Sequence, residues 1–370
     1  MWRMASNDRA SQDRDSAWDQ ASEHHVDGAE SRPQHSTGEV NPTENWAEAT
    51  ESSKPVPRPS VSSTSATGQG SSNPAHESEA VSAAPSNEQD SSRPTDDQII
   101  AQENEIRQEA ERLPFVGDLE PILALQQEYQ SGSAVFVAKI KKLETMYKSI
   151  RRARGDGNCF FRSFVFAYME SLVHTADLTE RNRVVTCIRQ WKQKMVDHGY
   201  QELVFEDAME VIIDQLNALG TPDPLTVQSL EGNMRDGMIS NMVIMFLRML
   251  TSCEIQRRQD FFAPFIMGML DDPVTVEQFC RRYVEPMGEE SDHIHLVAIT
   301  DALQIPIRVV YLDRSMAALA GAASEDAAAV NHHDFVPEAM QKAAAINVQP
   351  RVHLLYRPGH YDILYPRPAS

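Results

Sequence analysis

From Glu51 to Pro94 the chain has almost no aliphatic residue to bury, and this stretch decides where folding can occur. A segment without apolar side chains cannot offset the entropy lost on ordering. The residues before it fare no better. Met1 to Gln98 carries 17 acidic against 7 basic residues, half of the formal charge of −20 on the 370-residue chain, and is dense in Ser, Pro, Gln and Asn. Residues 1–94 are therefore expected to form a disordered acidic arm. Three of the four tryptophans, Trp2, Trp18 and Trp46, lie in this arm without periodic neighbours. They read as tolerated drift, the alternative being anchors of a short binding motif. The 272 residues after Gln98 are ample for one sizeable core.

Helical patterns dominate that remainder. Thr95 and Gln98 have capping-box spacing after Pro94, and Pro114 marks a stop, which predicts a helix over 95–113. Its apolar positions, Ile99, Ile106, Ala110 and Leu113, form a stripe too thin for a core helix. A second helix is expected after Asp118, and a third carries Phe136, Ile140, Leu143 and Tyr147 on one face. Leu178–Val196, Glu206–Leu219, Asp236–Leu250 and Thr275–Glu285 read as a helical subdomain. Strands gather late, at Ile305–Leu312 and in a hairpin over Val352–Pro366, with Ser315–Val348 read as a loop insertion. The fold class is α+β, a helical subdomain packed on a small, mostly antiparallel sheet.

Composition narrows the function. Four cysteines without CxxC spacing and no signal peptide argue against structural zinc and disulfides, and fit an intracellular, cytoplasmic protein with the nucleus as a second compartment. Cys187 and Cys280 read as packed thiols, while Cys253 stays ambiguous. The most apolar run, Met242 to Leu250, is interrupted by Arg248 and is too short for a bilayer, so no membrane partner is expected. An acidic chain is also a poor nucleic-acid binder. The basic cluster Lys148–Arg154 is the exception, read as a charged lead-in to the segment that follows or as a source of positive potential there. His293, His295, His332 and His333 lack the spacing of a metal site, so no metal and no cofactor is expected.

Two strings carry chemistry. In Asp156-Gly157-Asn158-Cys159, turn residues precede Phe160, Phe164, Ala167 and Tyr168 at helical spacing, which puts Cys159 in a helix's first turn. A thiol attacks only as thiolate, and helix N-termini and histidinium neighbours favour that form. The free amides there, Gly157 and Cys159 among them, can receive an oxyanion. In the second string, Arg357-Pro358-Gly359-His360 is a turn between apolar runs, so His360 starts a strand. Side chains two apart on a strand share a face, which makes Asp362 the neighbour of His360 and able to hold one ring nitrogen while the other faces the thiol. Taken singly, a free cysteine is usually a packed residue and a His-x-Asp is usually surface decoration.

Together the strings are more specific. Asp156-Gly157-Asn158-Cys159-Phe160-Phe161-Arg162-Ser163-Phe164 and Arg357-Pro358-Gly359-His360-Tyr361-Asp362-Ile363-Leu364-Tyr365 resemble the otubain branch of the ovarian-tumour (OTU) cysteine peptidases, which cleave ubiquitin from proteins. A third string, Ser291-Asp292-His293-Ile294-His295 running into Ala302-Leu303, is similar to one in otubains, and the resemblance spans about Asp96 to Pro366. It implies an OTU-type domain with Cys159 as nucleophile, His360 as base and then acid, Asp362 as its orienting partner, and the Asp156 backbone helping to form the oxyanion hole. Phe161 stands where otubains have tyrosine and Gly155 where they have proline, which predicts a more mobile Cys loop before substrate arrives. The 95–113 helix resembles one that longer otubains place against a second ubiquitin or a ubiquitin-conjugating enzyme. That would make Ile99, Ile106 and Leu113 partner-binding residues, the alternative being a brace on the chain's own domain.

The resemblance thus implies a deubiquitinase acting on polyubiquitin, with ubiquitin chains and conjugating enzymes as partners, and favours the proteasome-directing linkage. Two other readings stay open: a ubiquitin- and conjugating-enzyme-binding regulator that needs no catalysis, and a Cys-His hydrolase of another acyl bond.

Overall fold

The computed structural model describes residue 105 and residues 111–129, 134–270, 273–313, 330–342 and 348–368. The acidic arm, its tryptophans, Ile99 and Ile106 lie outside the described residues. Leu113 is described and is 58% exposed.

Six strands form one sheet in the order β1-β2-β6-β5-β3-β4. They are β1 Val116–Pro121, β2 Tyr147–Ala153, β3 Ile307–Tyr311, β4 His332–Phe335, β5 Val352–Arg357 and β6 His360–Pro366. Every pairing is antiparallel except β3 with β5. The helices are α1 Ala124–Tyr129, α2 Ala134–Met146, α3 Cys159–Thr175, α4 Leu178–Asp197, α5 Glu202–Ala218, α6 Val227–Arg235, α7 Gly237–Arg257, α8 Gln259–Met269, α9 Val276–Phe279, α10 His293–Leu303 and α11 Glu338–Lys342. A π-helical turn, Cys280–Val284, prolongs α9. This is the expected α+β architecture.

Period-two alternation loads both faces of the sheet. Val309, Leu354, Tyr361 and Ile363 enter a core with α3 to α7, whereas Ile150, Val310, Leu355 and Leu364 enter a second core with Ile122 and Leu125 at α1 and Ile140 and Leu143 of α2. Helix α3 is enclosed, with thirteen of its seventeen residues buried, as expected for a helix apolar on every side. Its first turn lies against the start of β6. The Phe160 and Tyr361 rings are 5.3 Å apart, and the Ser163 hydroxyl donates to the Tyr361 carbonyl at 3.3 Å.

Four expectations are corrected. The chain after Pro114 first forms strand β1, which was not expected, and the helix expected after Asp118 starts only at Ala124. Tyr147 opens β2 and does not close α2, and the basic Lys148–Arg154 cluster leads into the Cys loop largely as this interior strand. Tertiary pairing makes that possible: Arg151 is buried between Glu170 at 3.2 Å and Glu231 at 2.7 Å, and Arg152 pairs with Glu128. The Ser315–Val348 segment, read as a loop, supplies edge strand β4 and the short α11 among its described residues. Finally, α7 continues to Arg257 and is long and apolar enough by composition to cross a bilayer. Twelve of its residues are buried in the protein, so its apolarity serves the core.

Candidate active site

The loop from β2 to α3 is built around Gly157. Its φ is +74°, and a Cβ there would stand 1.8 Å from the Gly288 carbonyl oxygen, so only glycine fits. Asp156 closes the loop from within: its Oδ1 accepts the Asn158 amide at 3.0 Å, and its Oδ2 pairs with buried Arg162 at 2.9 Å. Arg162 also donates to the Ser240 hydroxyl at 3.1 Å and lies 4.1 Å from the Phe115 ring centroid. Burial holds the Arg162 pKa below its ordinary value against the pull of Asp156.

Asn158 is the N-cap residue of α3, yet its side chain makes no cap bond. Asparagine there ordinarily satisfies a first-turn amide. Here its Oδ1 instead accepts the Gly288 amide at 3.0 Å and Arg248 Nε at 3.1 Å. The first turn is thereby left without a side-chain cap, and the Gly157 and Cys159 amides have no acceptor among the described residues. The Asp156 amide is less available, since it donates to the Arg154 carbonyl at 3.0 Å.

Cys159 is the first residue of α3 and is 5% exposed. At the other thiols, burial raises the pKa of Cys187 and pushes those of Cys253 and Cys280 up to about 12. All three read as packed thiols, which resolves the ambiguity at Cys253.

The hairpin supplies the base. Pro358 and Gly359 form the turn, with Gly359 at φ +76° as a type II turn requires at its third position, so β6 starts at His360 opposite Arg357. His360 Nε2 meets Asp362 Oδ1 at 3.0 Å. The other nitrogen, Nδ1, lies on the side of Gly155, where an added Cβ would be 3.7 Å away, and the Cys159 sulfur is near enough to the ring to influence its charge. Asp362 is fully buried and saturated, accepting from the Ala153 amide at 3.1 Å and from Arg357 Nη2 at 2.6 Å.

These contacts set the charges. Burial alone would lower the His360 pKa, but its hydrogen bond to Asp362 and the negative charge of Asp362 and Cys159 prevail and lift it to about 10. Burial likewise pushes the Asp362 carboxyl up, and the His360 hydrogen bond, Arg357 and the Ala153 amide outweigh it, leaving its pKa below the usual carboxylate range. A raised histidine pKa means that the charged ring stabilises the fold fully below pH about 6.5, and that this contribution is lost as pH rises through about 10. An NMR titration of His360 should therefore show an alkaline midpoint in the wild type and a lower one in Asp362→Asn.

The two remaining histidines of interest have structural duties. His295 sits between Asp292, at 2.9 Å from Nδ1, and the Tyr283 carbonyl at 3.1 Å from Nε2, as part of the capping box that starts α10. His293 Nε2 meets the Tyr311 hydroxyl at 3.1 Å. The Ser291–His295 string is thus a helix start.

The structure therefore brings together Cys159, His360, Asp362, Asp156 and Gly157. Leu113 does not join them; its carbonyl accepts from Arg154. Sequence reasoning missed Arg248. Its only sequence signal is a charge inside the apolar run of α7, and the side chain is fully buried against the Cys loop. A cleft of about 600 Å³ opens beside that loop, lined by Phe115, Asp156, Asn158, Met238, Met242 and Met287.

The family model described as Peptidase C65 Otubain matches residues 108–366. The OVARIAN TUMOR DOMAIN-containing deubiquitinating enzyme 1 of Arabidopsis thaliana is 46% identical over 269 residues, spanning 71% of this chain and 84% of that one. Ubiquitin thioesterase OTUB1 of Homo sapiens is 36% identical over 271 residues, spanning 73% of this chain and 90% of that one. Among solved structures, h/ceOTUB1 with ubiquitin aldehyde and UBC13~Ub superposes with a TM-score of 0.62 at 29% identity, covering 74% of this chain and 99% of that one. With a family model matched over most of the chain, and around a loop and hairpin that bring a thiol, an imidazole and a carboxylate together, the chain belongs to the otubain peptidases, Peptidase C65.

Proposed function

We propose that this otubain is a cysteine-dependent deubiquitinase whose nucleophile is Cys159. The observation that carries the reading is the convergence of Cys159, His360 and Asp362: Asp362 holds His360 Nε2 at 3.0 Å, and the ring lies within electrostatic reach of the Cys159 sulfur at the start of α3. The Cys159 thiolate attacks the carbonyl of ubiquitin's terminal glycine, forming the S–C bond. The resulting oxyanion is received by the Gly157 and Cys159 amides. His360, charged at neutral pH, donates its proton as the C–N bond breaks and the lysine amine leaves. Water, deprotonated by His360, then hydrolyses the thioester and restores the thiol. Asp362 holds Nε2 so that Nδ1 serves the sulfur.

The substrate assignment is supported by relatives named as a deubiquitinating enzyme and as a ubiquitin thioesterase, and by neighbours solved with ubiquitin aldehyde. The favoured bond is the isopeptide linkage of proteasome-directing polyubiquitin chains, a preference that rests on the family resemblance alone. A second reading, docking on ubiquitin-conjugating enzymes, is favoured by neighbours solved with UBC13~Ub and UBCH5B~Ub. A ubiquitin probe with a C-terminal thiol-reactive group tests the first reading. Labelling of wild type but not of Cys159→Ala is expected; binding without labelling would leave only the docking reading.

A further inference from the structure

Arg248 is a guanidinium with no solvent exposure and no carboxylate within ion-pair distance among the described residues. Burying a cation in this way is costly, and it is tolerated only where acceptors surround it. Arg248 has four. Nη2 donates to the Gly157 carbonyl at 2.8 Å and the Glu289 carbonyl at 2.5 Å, Nη1 to the Val284 carbonyl at 2.9 Å, and Nε to Asn158 Oδ1 at 3.1 Å. One planar fork therefore ties α7 to the Cys loop, to the end of the π-helical turn and to the segment that carries Gly288.

The bond to the Gly157 carbonyl bears on the reaction. Gly157 occupies the left-handed region, and a glycine there lets the following peptide plane turn over at little cost. With its carbonyl turned toward the cleft, the Gly157–Asn158 peptide would present an oxygen where an oxyanion must form. In the observed orientation that carbonyl points inward to Arg248, and the Asn158 carbonyl likewise accepts the Arg162 amide at 3.0 Å within α3. Both carbonyls are directed away from the substrate, which leaves the Gly157 and Cys159 amides to receive it.

We infer that Arg248 is a positioning residue that holds the Gly157–Asn158 peptide in its carbonyl-inward orientation and so keeps the oxyanion pocket formed. The inference rests on Cys159 as the nucleophile. Arg248 acts through the loop and touches neither substrate nor thiol. Burial lowers its pKa to about 10, and the negative charge of Glu289, then that of a Cys159 thiolate, opposes that fall. A neutral side chain of similar length would fill the space but could not fix three carbonyls and a carboxamide at once.

The test uses the full chain and three readouts on Arg248→Gln and Arg248→Lys: hydrolysis of a ubiquitin C-terminal fluorogenic amide, inhibition by ubiquitin aldehyde, and alkylation of Cys159 by iodoacetamide at its alkaline plateau. The aldehyde adds the thiol across its carbonyl, the sulfur bonding to carbon and the proton passing to oxygen, so its complex needs the pocket; alkylation does not. Losing a preorganised oxyanion site is expected to lower kcat of Arg248→Gln by about 10²–10³. Aldehyde affinity should fall in parallel, while KM and plateau alkylation stay near wild type. Lys, retaining the charge and a donor for the Gly157 carbonyl, should recover part of kcat. Wild-type kcat in Arg248→Gln, or equal losses in kcat, KM and alkylation with no recovery by Lys, would overturn the inference. If Arg248→Gln does not fold, Arg248→Lys decides alone: reduced kcat at unchanged KM supports the inference and an unchanged kcat refutes it. Hydrolysis persisting in Cys159→Ala would instead strike at the assignment of the nucleophile.

Discussion

Cys159→Ser is expected to lower kcat for isopeptide cleavage by between about 10⁴ and 10⁶ while leaving ubiquitin affinity nearly unchanged. The substitution is close to isosteric at a position only 5% exposed, so neither the first turn of α3 nor the surface offered to ubiquitin needs to move. What is lost is the nucleophile. A hydroxyl is not ionised by a histidine neighbour at neutral pH, and an imidazolium beside it has no thiolate to pair with. Turnover of purified polyubiquitin together with binding of single ubiquitin to the same protein measures both halves of the claim. Retained turnover would remove Cys159 from the mechanism, and none of the three other thiols is a ready substitute, because burial keeps each of them protonated.

The second large effect concerns the hairpin. His360→Ala removes the group that donates the proton to the departing amine and should lose a factor comparable to Cys159→Ser. Asp362→Asn should lose less, roughly 10²–10⁴ in kcat, for a reason visible in the hydrogen bonds. The carboxylate accepts on both sides: Oδ1 takes His360 and the Ala153 amide, and Oδ2 takes Arg357. An amide has only one accepting end. With its oxygen toward His360 it opposes Arg357 with a donor, and with its oxygen toward Arg357 it opposes His360 and Ala153. Partial orientation of the ring and a lower His360 pKa follow, so the pH profile of kcat should shift along with its height. Asp362→Ala would be a poorer probe, since it leaves the buried Ala153 amide unsatisfied at a cost of about 1–3 kcal/mol. Equal rates for His360→Ala and wild type would place the base elsewhere. His293 and His295 are poor candidates, since both are bonded into the start of α10 and its contact with β3.

Local sequence determines a good deal of this protein. Asp156-Gly157-Asn158-Cys159 ahead of an apolar helix is enough to place a thiol in a first turn, because turn residues and helical spacing act over a few residues. The Pro358-Gly359 turn between two apolar runs is enough to put His360 and Asp362 on one face of β6, because strand alternation is also local. Where the reading went astray, long-range pairing had overruled composition. A run as basic as Lys148–Arg154 became a strand because Glu170, Glu231 and Glu128, remote in sequence, neutralise it. A segment taken for a loop supplied an edge strand because β3 offered it a free side.

Tertiary structure alone decided three further things. It brought Cys159 to His360, through the packing of Phe160 and Ser163 on Tyr361 across two hundred residues of chain. It turned Asn158 from a helix cap into a clasp on Gly288. And it gave a purpose to Arg248, which in the sequence only interrupts an apolar stretch. A buried cation is accommodated where several backbone carbonyls converge, and that convergence, involving the Cys loop, the π-helical turn and the Glu289 segment, exists only once the helices are packed.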